Sequence, residues 1–321
     1  MKKRDLTIDL MKGIAIFLVV LGHVIWITSG QDEFPLRKLI FSVHMPLFFF
    51  ASGYLTPKLT NTSLIRTFLV KKCRLLLPLI VFGLLDIVLY DENWAQWEEF
   101  LRWEKFGLWF FFALFCFNVT YASCQYILRE RNNKLLEIVI LIIPVLISIA
   151  LRKYQHTEIG NALNFMQAYN YAFFLMGIVI KHYGLEEIAR RNDVGVILLA
   201  IYATGLYTGH PALNIPMKAS GVLLIFSSLK TIVENGVATN TKMGGVIATM
   251  GQNTLCIYVL HYYLLRTLDK LPLNILEFVY SSPVYYLIIM SIVSSFLVFL
   301  SIVGGKFLCT NIYIRKYAFG K

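Results

Sequence analysis

The sequence predicts an all-α, polytopic integral membrane protein with about ten transmembrane helices. Composition is the first observation: 57% of the 321 residues are hydrophobic and 15% are charged, with a mean hydropathy of +0.64. A soluble domain of this length could not bury so many apolar residues. Arrangement is the second, since apolar windows of about 17–25 residues alternate with short polar breaks. No break is long enough to fold alone, so we expect one membrane domain over residues 1–321.

Each apolar window is expected to form one helix that crosses the membrane. The first follows a basic start but precedes no small-residue cleavage pattern, so we interpret it as a retained helix. The window near Leu199 is the shortest and is flanked by Gly205 and Gly209. The ten centres are Val19, Phe48, Leu84, Phe115, Leu141, Phe174, Leu199, Leu224, Tyr258 and Val293.

Lysine and arginine predict the orientation. With both termini inside (N-in/C-in), most of the 30 basic residues fall in inner segments, as the positive-inside rule requires. The acidic segment 90–105 then falls outside. The net charge of +11 follows from this bias, so we expect contact with anionic lipid head groups and one anionic ligand. Nucleic-acid binding is not indicated.

Lys12 and His23 are two ionisable residues in the first predicted helix. Such residues are costly in an apolar span and are therefore functional candidates. Eleven steps at about 1.5 Å and about 100° per residue return to nearly the same helix face, ~16 Å further along. We expect Lys12 at the membrane surface and His23 near the middle of the bilayer. A cation above a deep imidazole suits a long anionic cofactor.

His44 is the predicted partner of His23. It lies seven residues after Arg37 in the second predicted helix, which places it ~10 Å below the outer surface. Two histidines at matching depth on consecutive antiparallel helices can meet. The functional interpretation is a general base with a second imidazole that orients a hydroxyl or a thioester. The alternative is hydrogen bonding that only packs two aromatic-rich helices together.

Two further candidates lie close to these histidines. Asp9 precedes Lys12 by three residues, so the two can pair and Asp9 can orient Lys12; the alternative is an ordinary ion pair at the rim. Pro46 and Gly53 suggest a broken or kinked second helix, which membranes tolerate where the freed backbone faces protein or a cavity. Ser52 could donate a hydrogen bond into such a cavity, although a simple packing kink is an equal alternative.

Lys71, Lys72 and Arg74 form a basic cluster in the inner segment before the third predicted helix. Such a cluster fits phosphate binding, and arginine suits bidentate contact with phosphate oxygens. The alternative is plain positive-inside bias.

A third histidine lies in the ninth predicted helix. Asn253 and Thr254 are expected near its inner end, with Tyr258 and His261 one and two turns further out. Polar residues on one face of a membrane helix imply a lined cavity. The alternative for His261 is a histidine packed among tyrosines at the interface.

The remaining reactive side chains carry no predicted site. The five cysteines form no CxxC motif and none lies in a predicted outer segment, so we expect neither a disulfide nor a bound metal. His156, His182 and His210 fall in predicted loops or helix ends and receive no role.

Six segments together resemble the acyltransferase 3 family, membrane-bound O-acyltransferases that use acyl-CoA. In chain order they are RDLTIDLMKGIAIFLVVLGH, FSVHMPLFFFASGYL, KKCRLLLP, GLWFFFALF, YAFFLMG and GQNTLCIYVLH. They extend over residues 4–265, and the first two are the specific ones. The short length and the FxxHMPLFFFxSG form are most similar to bacterial sugar O-acetylases of the fucose 4-O-acetylase type.

The resemblance implies ten transmembrane helices in a bacterial inner membrane and transfer of an acyl group to a hydroxyl of a carbohydrate or glycolipid. The donor would be acetyl-CoA or another short acyl-CoA, a co-substrate rather than a resident cofactor. The family's basic-x10-His motif falls on Lys12 and His23, and its Arg-x-x-Arg pair falls on Lys71 and Arg74. Lysine in the first position keeps the charge but not the bidentate geometry.

Three classes of function are therefore compared. In the first, an enzyme, acyl-CoA phosphates bind near Lys12, Lys71 and Arg74 while His23 acts on the acceptor. In the second, a transporter exports a polysaccharide, a sugar lipid or a small solute through a polar-lined cavity. A non-catalytic scaffold, the third, would leave three intramembrane histidines unexplained.

Overall fold

The computed structural model describes residues 4–29, 35–90, 95–102, 104–131, 133–268 and 283–320. Throughout these ranges the secondary structure is helical, without a β-strand, which confirms the all-α prediction. The chain divides into two compact units, Met1–Tyr54 with Val179–Phe307 and Leu55–Ile178 with Leu308–Lys321. Each unit is described by itself.

The first unit holds the chain's first two helices and most of its second half. Its described helices are α1 (Leu6–Ser29), α2 (Pro35–Tyr54), α9 (Glu186–Ala189), α10 (Asn192–Thr208), α11 (Asn214–Glu234), α12 (Lys242–Gln252), α13 (Thr254–Leu268) and α14 (Pro283–Leu308). It also includes the end of α8 (Tyr171–His182).

The second unit holds the segment between α2 and the middle of α8. Its described helices are α3 (Thr62–Cys73), α4 (Leu76–Tyr90), α5 (Trp109–Leu128), α6 (Lys134–Leu151) and α7 (Glu158–Ala162). Short 3₁₀ turns occur at Ala95–Phe100, Lys105–Gly107, Arg152–Tyr154 and Phe165–Asn170, and a π-turn at Ile314–Ala318.

Side-chain caps fix where several helices begin. Asn61 accepts a hydrogen bond from the Leu64 amide at the start of α3 (2.9 Å), and Thr241 accepts one from Gly244 at the start of α12 (3.2 Å). These side chains satisfy amides that a helix leaves without an internal partner. At the other end of α10, Gly209 adopts φ 59°, the left-handed conformation that glycine accepts at low cost.

Helix α1 packs against α2, α11, α12 and α13 in the first unit. Two glycines allow α1 and α12 to touch backbone to backbone. A Cβ atom added at Gly13 would lie 2.1 Å from the Ile247 carbonyl oxygen, and one added at Gly251 would lie 1.7 Å from the Asp9 carbonyl oxygen. Small residues permit this close approach of membrane helices, so the position of α12 on α1 depends on them.

The ninth predicted helix, near Tyr258, corresponds to α13, and α12 precedes it as a further helix. The axes of α12 and α13 are bent by 80° at Asn253, whose backbone leaves helical geometry (φ −109°, ψ 17°). The sequence predicted neither α12 nor this bend. Irregular backbone at such a break is tolerated in membranes where protein or a cavity surrounds it.

Within the described residues, five helices are long and apolar enough to cross a membrane, and the bent pair makes a sixth if it counts as one span. All ten predicted centres lie inside helices, while the count of ten spans stays a prediction. The five spans are Leu6–Thr28, Trp109–Leu128, Leu135–Tyr154, Pro211–Glu234 and Val284–Leu308.

Residues 57–74 and 266–283 are two of the polar breaks that the sequence places between predicted helices. Residues 57–74 contain the twelve-residue helix α3, whose start is capped by Asn61. Most of the break at 266–283 lies outside the described residues. Helix α2 continues through Pro46 to Tyr54, so the helix is not broken there, and a kink at Pro46 stays a prediction.

Candidate active site

Helix α1 carries the first two candidates on one continuous helix of 24 residues. Lys12 and His23 are both partly buried. Because no break interrupts the helix between them, the regular rise keeps them ~16 Å apart along its axis. The structure therefore keeps Lys12 and His23 on one unbroken helix, and their depths in the membrane stay a prediction.

His23 is hydrogen-bonded to His261 of α13. The distance from His261 Nε2 to His23 Nδ1 is 3.3 Å, and the ring centroids are 5.3 Å apart. The sequence identifies both histidines but predicts His44 as the partner of His23. The partner in the structure is His261, which is 2% exposed.

The hydrogen bonds assign the tautomers of this pair. His261 Nδ1 lies 2.8 Å from the Ile257 carbonyl oxygen, which can only accept, so Nδ1 of His261 carries the proton. In the neutral ring Nε2 is then an acceptor, and His23 Nδ1–H donates to it. Nε2 of His23 is left with a lone pair. An imidazole in this state can accept a proton from a substrate.

His44 is buried in α2 and is held in a similar way. Its Nδ1 donates to the Ile40 carbonyl oxygen at 2.8 Å, and Phe41 packs edge-on against its ring at 4.9 Å. By the same reasoning its Nε2 is an acceptor. The sequence interpretation missed Lys218, a further basic residue in the apolar helix α11.

Asp9 pairs with residues other than the predicted Lys12. Its Oδ2 lies 3.4 Å from Arg4 Nε and accepts a hydrogen bond from Gln252 Nε2 at 3.2 Å. None of the described residues forms an ion pair with Lys12. Asp9 therefore fastens the end of α12 to α1, and the role predicted for it in orienting Lys12 stays a prediction.

The other predicted cavity residues lie on α2 and at the α12–α13 bend. Asn253 donates to the Thr249 carbonyl oxygen at 2.8 Å, which closes the last turn of α12. Tyr258 is buried, with its ring 6.1 Å from that of His261. Ser52 is partly buried near the end of α2. Of Asn253, Tyr258 and Ser52, Tyr258 is thus the residue whose ring contacts a histidine of the pair.

Lys71 and Arg74 belong to the second unit, at the end of α3. Both side chains are exposed, and the Arg74 amide donates to the Lys71 carbonyl oxygen. The intervening Lys72 packs over the Phe68 ring at 5.0 Å. Lys71 and Arg74 are therefore the two cations of this cluster that project furthest into solvent.

A partly buried polar cluster in the first unit was missed by the sequence interpretation. Glu186 of α9 accepts hydrogen bonds from Tyr54 at 2.6 Å, from Lys181 at 3.2 Å and from Lys230. Burial raises the pKa of Glu186, but these bonds, with Lys230 the strongest, lower it to about 2. The cluster joins α2, α8, α9 and α11. Its lysines look like ordinary inner-segment cations in the sequence, so only the fold reveals it.

Asp86 is a buried acidic residue that the sequence interpretation passed over. It lies in α4 and is 1% exposed. An acidic residue within LIVFGLLDIVLY carries the same signal that identified Lys12, namely an ionisable group in an apolar helix. The same rule applied evenly along the chain would have found Asp86 and Lys218.

Fold and site together define the class of protein. It is a helical membrane protein in which one histidine of a hydrogen-bonded pair lies on the same helix as a lysine. The chain belongs to the acyltransferase 3 family, whose model, described as an acyltransferase domain, matches residues 5–310. The predicted family is thereby confirmed. The finer resemblance to fucose 4-O-acetylases stays a prediction.

Two curated relatives share shorter segments with the chain. Nodulation protein NolL of Sinorhizobium fredii is 41% identical over 83 residues, which cover 24% of this chain and 23% of that protein. Nodulation protein NolL of Mesorhizobium japonicum is 48% identical over 58 residues, 16% of each chain. Both matches therefore span less than a quarter of either protein. No solved structure matches the chain significantly.

Proposed function

We propose that this protein transfers an acyl group, most simply acetyl, from acyl-CoA to a hydroxyl of a cell-surface or exported carbohydrate or glycolipid. The observation that carries the proposal is the His23–His261 hydrogen bond, which leaves Nε2 of His23 as an acceptor on the helix that also carries Lys12. Membership of the acyltransferase 3 family favours group transfer over the transporter interpretation.

In the proposed reaction His23 is the general base. Its Nε2 accepts the proton of the acceptor hydroxyl while that oxygen attacks the thioester carbonyl carbon. A C–O bond forms, the C–S bond breaks, and the imidazolium returns the proton to the thiolate of CoA. The products are an O-acyl sugar and CoA, and the base is regenerated.

His261 and His44 have supporting roles in this proposal. His261 accepts the hydrogen bond of His23 Nδ1 and so fixes the tautomer and orientation of the base. His44 Nε2 is an acceptor that can hold a second hydroxyl of the acceptor sugar. Ser52, Asn253 and Tyr258 are the remaining proposed residues of the substrate cavity, and Asp9 positions α12 beside Lys12.

Lys12 in the first unit and, separately, Lys71 and Arg74 in the second are proposed as residues that bind phosphates of acyl-CoA. Lys12 lacks an ion pair within the described part of the chain, while Lys71 and Arg74 are exposed at the end of α3. Charge-assisted hydrogen bonds to phosphate are stronger than neutral ones. The proposal places these residues on the cytoplasmic side of a bacterial inner membrane, with ten spans and both termini inside.

The test of the reaction uses purified protein in lipid vesicles with acetyl-CoA labelled in the acetyl group. We expect labelled acceptor and free CoA in equal amounts when a glycan extract of the host is present. Mass spectrometry of the host glycans with and without the gene should show the same acyl group and its position. Movement of an acceptor across the vesicle membrane without CoA release would contradict the proposal and support a transporter.

The choice of acetyl is tested separately from the reaction class. Acetyl-CoA and succinyl-CoA are offered together at equal concentration, and the acylated product is analysed by mass. We expect acetyl to predominate. Predominance of succinyl would overturn the choice of acyl group while leaving O-acyl transfer intact.

A further inference from the structure

The first unit contains a cavity whose lining does not include the histidine pair. It has a volume of about 970 Å³ and lies between α1, α12 and α14. Most of its lining is apolar, as the side chains of Phe17, Val246, Phe299 and Val303 illustrate. Two cations, Lys242 and Lys306, complete the lining, and it includes no carboxylate.

The apolar side chains of this groove are open to the surroundings of the protein. Val246 and Phe299 are each 60% exposed although both line the cavity. In a membrane protein such side chains face lipid rather than water, since α14 is apolar enough to span the bilayer. The groove therefore opens toward the hydrocarbon of the membrane.

Three helix ends meet beside the groove. A Cβ atom added at Gly305, next to Lys306, would lie 2.4 Å from Cys256 Cβ near the start of α13. Gly13 near the start of α1 touches Ile247 of α12. Because α12 is bent by 80° from α13, it runs close to the membrane plane when α13 crosses the bilayer. In that orientation Lys242, at the start of α12, and Lys306, in the last turn of α14, are expected at the depth of lipid head groups.

Both lysines are available for a ligand. They are exposed, and neither forms an ion pair within the ranges that the structure describes. Basic pockets between membrane helices bind anionic lipid head groups. An apolar groove with two unpaired ammonium groups is complementary to an amphiphile that has a hydrocarbon tail and a negative head.

We propose that this groove binds an acidic phospholipid, with its acyl chain along α1, α12 and α14 and its phosphate at Lys242 and Lys306. The apolar lining favours a hydrocarbon tail over the polar pantetheine arm of acyl-CoA. The proposal goes beyond acyl transfer and rests only on membrane insertion. Lipid in this groove would hold α12 against α1 beside Lys12.

Gly245 provides a substitution that fills the groove without disturbing the fold. It lines the cavity, and a Cβ atom added there meets no heavy atom within 4 Å. Replacing glycine inside a helix also favours helix formation. Gly245→Phe is therefore expected to fold normally. Gly195 of α10 is equally open and lies outside the groove, so Gly195→Phe is the matched control.

Native mass spectrometry tests the proposal with dioleoyl phosphatidylglycerol and dioleoyl phosphatidylcholine in mixed micelles with the purified protein. We expect the wild type to retain phosphatidylglycerol preferentially. Lys242→Gln with Lys306→Gln should reduce that preference about tenfold or more, since each basic residue contributes near the surface. The control, Lys58→Gln with Lys316→Gln, removes the same charge elsewhere and should change little.

Gly245→Phe should lose retention of the phospholipid while its thermal unfolding temperature stays at or above that of the wild type, and Gly195→Phe should behave as the wild type does. Equal retention of both phospholipids by the wild type would overturn the proposal. Unchanged phospholipid retention in Gly245→Phe or in the Lys242→Gln, Lys306→Gln variant would also overturn it. Displacement of the phospholipid from the same site by palmitoyl-CoA would do the same. The acyl-transfer assay is read separately, so its failure is distinguishable from failure of this proposal.

Discussion

His261 Nε2 lies 3.3 Å from Nδ1 of His23, a hydrogen bond that joins residues 238 positions apart in the chain. The Ile257 carbonyl oxygen accepts from the other nitrogen of His261 and so sets the direction of the bond. His23 Nδ1 donates, and its Nε2 is left to accept a proton. His261 is thus a positioning residue for the proposed base, and this makes it the first target for substitution.

His261→Ala should lower kcat of acyl transfer by about tenfold to a hundredfold, less than loss of the base itself. The reason is that His23 would no longer be fixed in its tautomer and orientation. KM for acetyl-CoA should stay within about twofold, since His261 carries no binding charge. Steady-state kinetics of purified protein in vesicles measure both constants.

His261→Gln is the matched variant, because its amide oxygen can accept the same hydrogen bond from His23. We expect it to recover most of the kcat that His261→Ala loses. Equal loss in both variants, with the same pH profile, would assign His261 a purely packing role.

Lys12→Gln should raise KM for acetyl-CoA and leave kcat nearly unchanged. Loss of a charge-assisted contact with phosphate corresponds to about 1.5–3 kcal/mol, or roughly a tenfold to hundredfold change in affinity. Lys12→Arg keeps the charge and should bind nearly as well as the wild type. Lys153→Gln removes an exposed lysine outside the site and serves as the control. A fall in kcat with unchanged KM would place Lys12 in a different role.

The sequence located the histidines better than it located their partners. His23, His44 and His261 are conspicuous because an imidazole in an apolar helix is rare. The pairing of His23 with His261 depends on how α13 lies on α1, and that follows from the 80° bend at Asn253. No local pattern gives the bend angle, so depth alone suggested His44.

Gly251→Ala should destabilise the first unit, because the new methyl group would meet the Asp9 carbonyl oxygen at 1.7 Å. Overpacking of this kind costs about 1–3 kcal/mol. Thermal unfolding in detergent is the measurement. Gly245→Ala in the same helix has open space around it and should be neutral or stabilising. Equal unfolding temperatures for the two variants would show that α12 can move away from α1 freely.

Lys105 provides a pH-dependent test in the second unit. Lys105 is 2% exposed, and its ammonium donates to the carbonyl oxygens of Phe100 at 2.7 Å, Ala162 at 2.9 Å and Arg102 at 3.2 Å. Burial lowers its pKa from 10.5 to about 8. Between these values the unfolded chain binds more protons than the folded one, so stability should rise with pH.

Thermal unfolding of the wild type and of Lys105→Met, measured from pH 7 to pH 10, isolates this effect. The wild type should gain stability relative to the variant as pH rises through about 8. A difference between the two proteins that stays constant with pH would mean that the pKa of Lys105 is not lowered.

The hydropathy pattern predicted the positions of the helices well, because an apolar segment in a membrane must form its backbone hydrogen bonds within itself. All ten predicted centres lie in helices. Ends and breaks were less predictable, since a capping residue such as Asn61 starts α3 within a segment that reads as a polar loop. The polar contacts were least predictable: Asp9 is three residues from Lys12, yet its ion pair is with Arg4. Asp9 also accepts a hydrogen bond from Gln252, which comes from a distant helix.

The most direct test of the central claim is the rate of CoA release by His23→Ala in vesicles with acetyl-CoA and the acceptor glycan. His156→Ala, which removes an exposed loop histidine, is the control at matched protein amount. The proposed mechanism predicts a fall of about 10²–10⁴-fold for His23→Ala and no change for His156→Ala. Undiminished acyl transfer by His23→Ala would contradict the assignment of His23 as the base.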